Sequence, residues 1–278
     1  MPSSGPINKI GIYVDVSYIY NNGGQKMQYD ALREFACRDY SEPVRMNAYV
    51  SYDRDRADWD ENYRKGTQNF HSALRDMGYK VIVKEIQWFQ DETGNRYGKA
   101  NADLDLAVDA LLQSANLDRI LLASGDGDFV QVVRALQDKG LRVEVLALDN
   151  VSSKLRHEAD FFISGYQVPN LIPTANHKTE GPIWGDLGSR VRGWCYWHSD
   201  QGYGFIRYIK GISPGLWLTD TRHPDSPYAT AFFHDSNLPD AVRPNNLPSR
   251  NYVLEMELAK SERGGGVQAI NMELVSKF

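Results

Sequence analysis

Four aspartates in three separate segments are the residues of this chain whose type and spacing could do chemistry. Asp15 follows the apolar run Lys9-Ile-Gly-Ile-Tyr-Val14, and Asp103 stands in Lys99-Ala-Asn-Ala-Asp103. Asp126 and Asp128 lie in Ala123-Ser-Gly-Asp-Gly-Asp-Phe129. Carboxylates gathered in one place repel one another, so one must hold a proton or all must share a cation. All-oxygen donors with no His or Cys cluster beside them suit Mg²⁺ or Mn²⁺ and not zinc. Such a cation activates water and stabilises the charge of an in-line phosphodiester displacement. Taken singly, each Asp also reads as a helix N-cap, and Asp105 with Asp109 reads as a solvated helix stripe. As a set, Asp15, Asp103, Asp126 and Asp128 go beyond capping, because caps need not converge on one sheet edge. Lys99 reads either as a phosphate contact or as a surface lysine before a helix.

A second group of residues is aromatic. Gln201-Gly-Tyr-Gly-Phe-Ile206 puts Tyr203 and Phe205 on one face of a strand, with Gly202 and Gly204 on the other. Phe232 and His234 share a face in Ala231-Phe-Phe-His-Asp-Ser236. Two such strands side by side form a platform for unpaired bases, where stacking is worth about 1–3 kcal/mol per base. Phe233 and Trp197, of opposite parity, are expected in the core. The six His show no metal-ligand spacing, no GxGxxG follows a strand, and no Walker lysine is present. Cys37 and Cys195 lie far apart and form no CxxC pair.

These residues need elements to hold them. Apolar runs at Lys9 to Val14, Met46 to Ser51, Lys80 to Val83, Arg119 to Ala123 and Leu141 to Leu148 read as strands. Between them, Leu32, Phe35 and Ala36 recur at helical spacing, as do Phe70, Leu74 and Met77, and Leu104, Ala107, Val108, Leu111 and Leu112. Val130, Val133 and Leu136 follow, with Gly140 as the C-cap. Strand alternating with helix predicts a parallel sheet covered on both faces, which collects ligands at the carboxyl ends of its strands. From Gln167 the periodicity stops and three prolines follow by Pro182, the composition of a linker. Beyond it, short alternating runs at Gly193 to His198, Gly204 to Tyr208, Ala229 to His234 and Tyr252 to Leu258 predict a small all-β barrel, with Gly264 to Gly266 as a hairpin loop. The expected organisation is therefore an α/β domain over 1–166, a linker over 167–187 and a β-domain over 188–278.

The chain has 278 residues, enough for two such domains, with 42% hydrophobic and 24% charged side chains. Its net charge of −5 excludes a binder that works by bulk positive charge. Residues 1–166 hold 20 basic and 25 acidic side chains and residues 167–278 hold 11 of each, so the acidity belongs to the first domain. The start, MPSSGPINK, lacks an apolar h-region, and no run approaches a membrane span. With sparse cysteine, this leads to the expectation of a soluble cytoplasmic protein without membrane partners.

Val14-Asp15-Val-Ser-Tyr-Ile-Tyr20, Lys99-Ala-Asn-Ala-Asp103 followed by Leu-Ala-Val-Asp109, and Ser124-Gly-Asp-Gly-Asp-Phe129 resemble the NYN domain of the LabA-like family, within the PIN-like nucleases. The resemblance covers about residues 7–166, and the Ser-Gly-Asp-Gly-Asp-Phe box is its most specific piece. It implies a PIN-like α/β/α sandwich and metal-dependent endoribonuclease activity. By position Asp15, Asp103, Asp126 and Asp128 match the family's acidic site, Ser124 its hydroxyl, and Asp109 a helix Asp. Asp15, Asp126 and Asp128 are then the expected metal ligands, and Asp103 is a ligand or a water-orienting base. Tyr18 stands where the family usually carries Asn, an amide that can orient a water or a phosphate.

Cys195-Tyr-Trp-His-Ser-Asp-Gln-Gly-Tyr-Gly-Phe-Ile206 and Ala231-Phe-Phe-His-Asp-Ser236 resemble the two nucleic-acid motifs of a cold-shock domain, an OB-like barrel. The likeness covers residues 188–278, with a longer insertion around Gly211 to Thr230. It implies that Tyr196, Tyr203, Phe205, Phe232 and His234 face the strand. Cys195 and Gln201 stand where lysines are usual, and Asp235 where an aromatic is common, so phosphate contacts are fewer and binding is less salt-dependent. The expectation is a nuclease that hydrolyses RNA with Mg²⁺ or Mn²⁺ while its β-domain holds single-stranded, or locally structured, RNA, with a homodimer as a further expectation. The competing expectation is an RNA-binding protein that keeps the nuclease fold as a scaffold, for which Tyr18 speaks.

Overall fold

β1 (Lys9–Asp15) runs through the middle of a sheet, and Ile10 to Val14 are buried because both faces of the sheet are covered. A computed structural model describes residues 7–175, 181–261 and 265–278. The sequence positions 176–180 of the expected linker, and Gly264, lie outside the described residues. The chain divides into two compact units. One holds Met1–Gln25, Tyr40–Ala147 and Val151–Phe162; the other holds Lys26–Asp39, Leu148–Asn150 and Ile163–Phe278.

In the first unit, β1 pairs in parallel with β2 (Glu42–Tyr52) on one side, and β2 pairs with β3 (Lys80–Glu85). On the other side β1 pairs with β6 (Arg119–Ala123), and β6 with β7 (Arg142–Ala147). With β8 (Phe161–Ser164) the order is β3-β2-β1-β6-β7-β8. The chain thus builds outward one way from β1 and then the other way from β6. The gap between the carboxyl ends of β1 and β6 is the topological switch point, where an open α/β sheet leaves a crevice. Of the four helix-spaced runs, three recur here as α4 (Glu61–Asp76), α5 (Ala102–Gln113) and α6 (Val130–Asp138), and the fourth, α2 (Tyr29–Ala36), falls in the other unit. Short helices α1 (Val16–Asn21), α3 (Arg54–Trp59) and α7 (Ser153–Glu158) complete the set. Leu106, Ile120, Leu122, Phe129, Val133 and Val145 close one core of the sheet. Between β3 and α5 lies a hairpin, β4 (Gln87–Gln90) with β5 (Arg96–Lys99), whose sequence shows no alternating run.

The second unit centres on a closed five-stranded barrel. Its strands β9 (Arg190–Ser199), β10 (Tyr203–Ile209), β11 (Tyr228–His234), β12 (Ser249–Lys260) and β13 (Val267–Lys277) follow the order β10-β11-β13-β12-β9. All pairs are antiparallel except β11 with β13. Val191, Ile206, Phe233, Leu254 and Met256 fill the interior. Gly204 is a residue of close approach: a Cβ there would meet the Phe233 ring and the Trp197 carbonyl, each at 2.7 Å. Its bare side is therefore filled by a core ring. Residues 172–175 are tied to the same unit, since Arg192 donates to the Ile172 and Pro173 carbonyls at 2.8 Å and Ala175 N donates to Glu255. Among the described residues no helix is long and apolar enough to cross a membrane.

Candidate active site and nucleic-acid interface

Asp15 ends β1 and caps α1: its Oδ1 accepts from the Tyr18 N–H at 2.9 Å. Its second oxygen, Oδ2, accepts from the Ser124 hydroxyl at 3.0 Å, which ties the end of β1 to the end of β6. Asp126 likewise caps the 3₁₀ turn Gly127–Phe129, accepting from Asp128 N at 2.9 Å, while its own N–H reaches the Ser124 Oγ at 3.3 Å. Capping and convergence are thus compatible, because each cap uses one carboxylate oxygen and thereby aims the other. Ser124 is fully buried and Asp15 is nearly so.

Burial pushes the Asp15 carboxyl up to about 6, against the pull of the Tyr18 and Ser124 hydrogen bonds and with the help of Asp103 and Asp126. Asp103, in the first turn of α5, is also raised, by lost hydration and then by Asp126 and Asp128. The charges that act on one another therefore include Asp15 with Asp103 and Asp126, and Asp103 with Asp126 and Asp128. Asp128 is exposed. Among the described residues, no group of three or more His, Cys, Asp and Glu side chains stands close enough to hold a metal ion as it is. The carboxylates converge electrostatically without closing on one point.

Asp109 sits elsewhere. It accepts from the Tyr49 hydroxyl at 2.8 Å in a polar knot with Asn47 and Gln113. Asp105 is ion-paired with Lys84 at 2.8 Å, so the helix stripe divides between two partners. Lys99 is exposed at the end of β5, three residues before α5 begins. The Tyr18 phenol lies directly over Gly125, in the space a side chain there would take, so glycine is the residue that lets this ring in.

On the barrel, Tyr203 pairs with His234, and Phe205 with both Phe232 and Trp197. The ring centroids of Tyr203 and Phe232 lie 5.8 Å apart, those of Phe205 and Phe232 5.8 Å, and those of Tyr196 and Phe205 6.5 Å. Phe233 is fully buried. Trp197 departs from the parity expectation. It is 42% exposed and lies 5.6 Å from Tyr203 and 5.7 Å from Phe205. The cause is a register shift in β9 between the partners of Phe205 and Ile206, which leaves Tyr196 and Trp197 both outward. The Arg207 guanidinium stacks 4.4 Å over Tyr196, adding a cation that period-two reasoning missed. His198 is held to Asp235 at 2.7 Å.

The NYN domain family matches residues 9–171. The chain belongs to the NYN domain family. NYN domains are PIN-like nucleases, and the NYN match contains Asp15, Asp103, Asp126 and Asp128 alike. The low amplitude and bright protein LabA of Synechococcus elongatus is 34% identical over 118 residues, 41% of this chain and 61% of that protein. The chain thus spans about three fifths of the length of this curated relative. A crystal structure of a protein of unknown function from Vibrio parahaemolyticus is 27% identical, with a TM-score of 0.46, and covers 59% of this chain and 96% of its own.

Proposed function

We propose that the protein is a metal-dependent endoribonuclease whose NYN unit hydrolyses RNA phosphodiesters and whose barrel, read as OB- or cold-shock-like, binds single-stranded RNA. One observation carries this: three strand and helix ends bring Asp15, Asp103 and Asp126 within range of each other's charge at the switch point. The donor chemistry fits Mg²⁺ or Mn²⁺, being all oxygen, and a divalent cation offsets both the burial and the mutual repulsion that raise Asp15 and Asp103. Asp15, Asp103 and Asp126 would hold the ion, with Asp128 at the rim. When bound, it supplies a Lewis acid and an activated water for in-line attack on phosphorus. Ser124 keeps Asp15 aimed into the crevice, and Asp103, the more exposed carboxylate, is placed to orient a water. Burial of Asp15 keeps its charge unscreened for the ion.

A second reading rests on the Tyr18 ring over Gly125. There the phenol fills part of the crevice, and the protein binds RNA without cutting it. Labelled single-stranded RNA incubated with Mn²⁺, Mg²⁺ or EDTA separates the two. Under the first reading the wild type cuts only with metal, and Asp126→Asn loses about a hundredfold or more, the rate equivalent of a few kcal/mol of charge stabilisation. Under the second, wild type is silent and Tyr18→Asn cuts. Equal cutting by wild type and Asp126→Asn removes both.

A further inference from the structure

The β4–β5 hairpin is an excursion the carboxylate site does not require. An isolated two-stranded ribbon is marginal in water, so its two faces tell what stabilises it and what it leaves open. Its turn is closed by Asp91, whose Oδ1 accepts from the Thr93 and Asn95 N–H groups. On one face Trp88 lies across Gly98, its ring 3.2 Å from where a Cβ would stand, and the Arg96 guanidinium sits 4.6 Å above the Trp88 ring. Trp88 Nε1 donates to Asp53 at 3.3 Å, and Arg96 pairs with Asp55 at 2.6 Å. Asp53 and Asp55 belong to the start of α3, so this face is anchored to the body of the NYN unit.

The opposite face carries the cross-strand pairs Phe89–Tyr97 and Gln87–Lys99. The two rings are nearly parallel, 5.8 Å apart at 28°, and 47% and 52% exposed. Lys99 follows the rings on this face, and the chain passes from it into Ala102 and Asp103.

We propose that this outer face is the strand-entry platform of the nuclease: bases of single-stranded RNA stack on Phe89 and Tyr97, and Lys99 takes a phosphate next to Asp103. The proposal rests on the nuclease reading and names how the substrate reaches that site. Continuity argues for RNA, because a phosphate approaching four carboxylates is repelled and Lys99, four residues before Asp103 in the chain, carries a charge that offsets this. Area argues against a protein partner. Aromatic side chains bury about 150–250 Å² each, and two half-exposed rings fall far below the roughly 800 Å² per partner of a stable protein interface.

The test uses the full chain carrying Asp126→Asn to stop cleavage and Tyr203→Ala with Phe205→Ala to remove the barrel platform. An RNA oligonucleotide containing 4-thiouridine is photocrosslinked to it, and the adducts are mapped by mass spectrometry. The expected result is adducts within residues 87–99. Phe89→Leu with Tyr97→Leu, which keeps apolar bulk but removes the π faces, should weaken RNA binding by at least about tenfold with an unchanged circular dichroism spectrum. Adducts absent from 87–99 together with unchanged affinity would overturn the proposal. So would self-association that Phe89→Ala with Tyr97→Ala abolishes, since the rings would then face a second copy. A separate arm measures Mn²⁺-dependent cleavage by the wild type. Hairpin adducts without cleavage sink the nuclease reading while sustaining the RNA contact; cleavage without hairpin adducts does the reverse.

Discussion

At the scale of residues, Asp15 is where stability and function pull apart. Its carboxyl, pushed up to about 6 by burial, is ionised at neutral pH only at a cost to the fold. Below about pH 4 the group is protonated in the folded and the unfolded chain, and the cost is absent. Between about 4 and 6 the folded chain keeps the proton that the unfolded chain has lost, so stability falls as pH rises. Above 6 the whole penalty applies, about 3 kcal/mol at 1.36 kcal/mol per unit. Asp15→Asn keeps the cap to Tyr18 N and removes the charge. It should therefore stabilise the NYN unit by up to about 3 kcal/mol near pH 7.5, with the gain shrinking towards zero by pH 4. Urea unfolding across that range measures this, and a gain that ignores pH would rule out burial of the charge as its source. Mn²⁺ should raise the melting temperature of the wild type near pH 7.5 by more than that of Asp15→Asn, because the variant loses one of the three carboxylates that gain from the ion.

At the scale of elements, buried ion pairs stand where periodicity gives out. Glu255 of β12, nearly fully buried, accepts from Arg190 at 2.6 Å, Arg192 at 2.7 Å and the Ala175 N–H at 2.9 Å. Arg192, 4% exposed at its side chain, in turn holds the Ile172 and Pro173 carbonyls. Glu255→Ala leaves that guanidinium buried without its counter-charge, and the expected cost is about 3–5 kcal/mol. Denaturant unfolding of the full chain, followed by Trp fluorescence, should show an earlier barrel transition; a loss below about 1 kcal/mol would mean the arginines find water instead. The Pro-rich stretch from Gln167 reads as linker because its buried apolar residues, Val168, Leu171 and Ile172, follow no strand or helix period, and Arg192 holds its carbonyls, which leave no trace in side-chain pattern. The hairpin is not legible in the sequence for a related reason: Gln87-Trp-Phe-Gln90 and Arg96-Tyr-Gly-Lys99 expose both faces in part, so neither alternates.

At the scale of the molecule, the two units divide the work on the proposed reading. Asp126→Asn should leave RNA affinity in EDTA within about twofold of wild type. Tyr203→Ala with Phe205→Ala should weaken it by about 1–3 kcal/mol for each base no longer stacked. With 11 basic and 11 acidic side chains in residues 167–278, and Arg190, Arg192 and Arg222 engaged in ion pairs, few cations remain for phosphate. The logarithm of the binding constant should then fall with the logarithm of salt at a slope no steeper than about −2, since each phosphate contact adds about −0.7 on a single strand. Fluorescence anisotropy over a salt series checks this, and a steep slope would shift the weight from stacking to charge.

The sequence by itself determined five strands of the parallel sheet and the four longer helices, because continuous apolar runs and helix-spaced apolar residues are local and burial on both sides of the sheet requires them. It also determined that Asp15 and the Asp126 segment each follow the end of a strand, since a strand that finishes in a turn residue says so within a few positions; that those two strands are neighbours is a matter of sheet order. What the tertiary structure decided was which charges act on which. Asp103 and Asp126 press on Asp15, while Asp109 accepts from Tyr49; these contacts join segments far apart in the chain. It decided the facing of Trp197 too, because a single register shift in β9 turns a side chain from core to surface, and register is set by the partner strand.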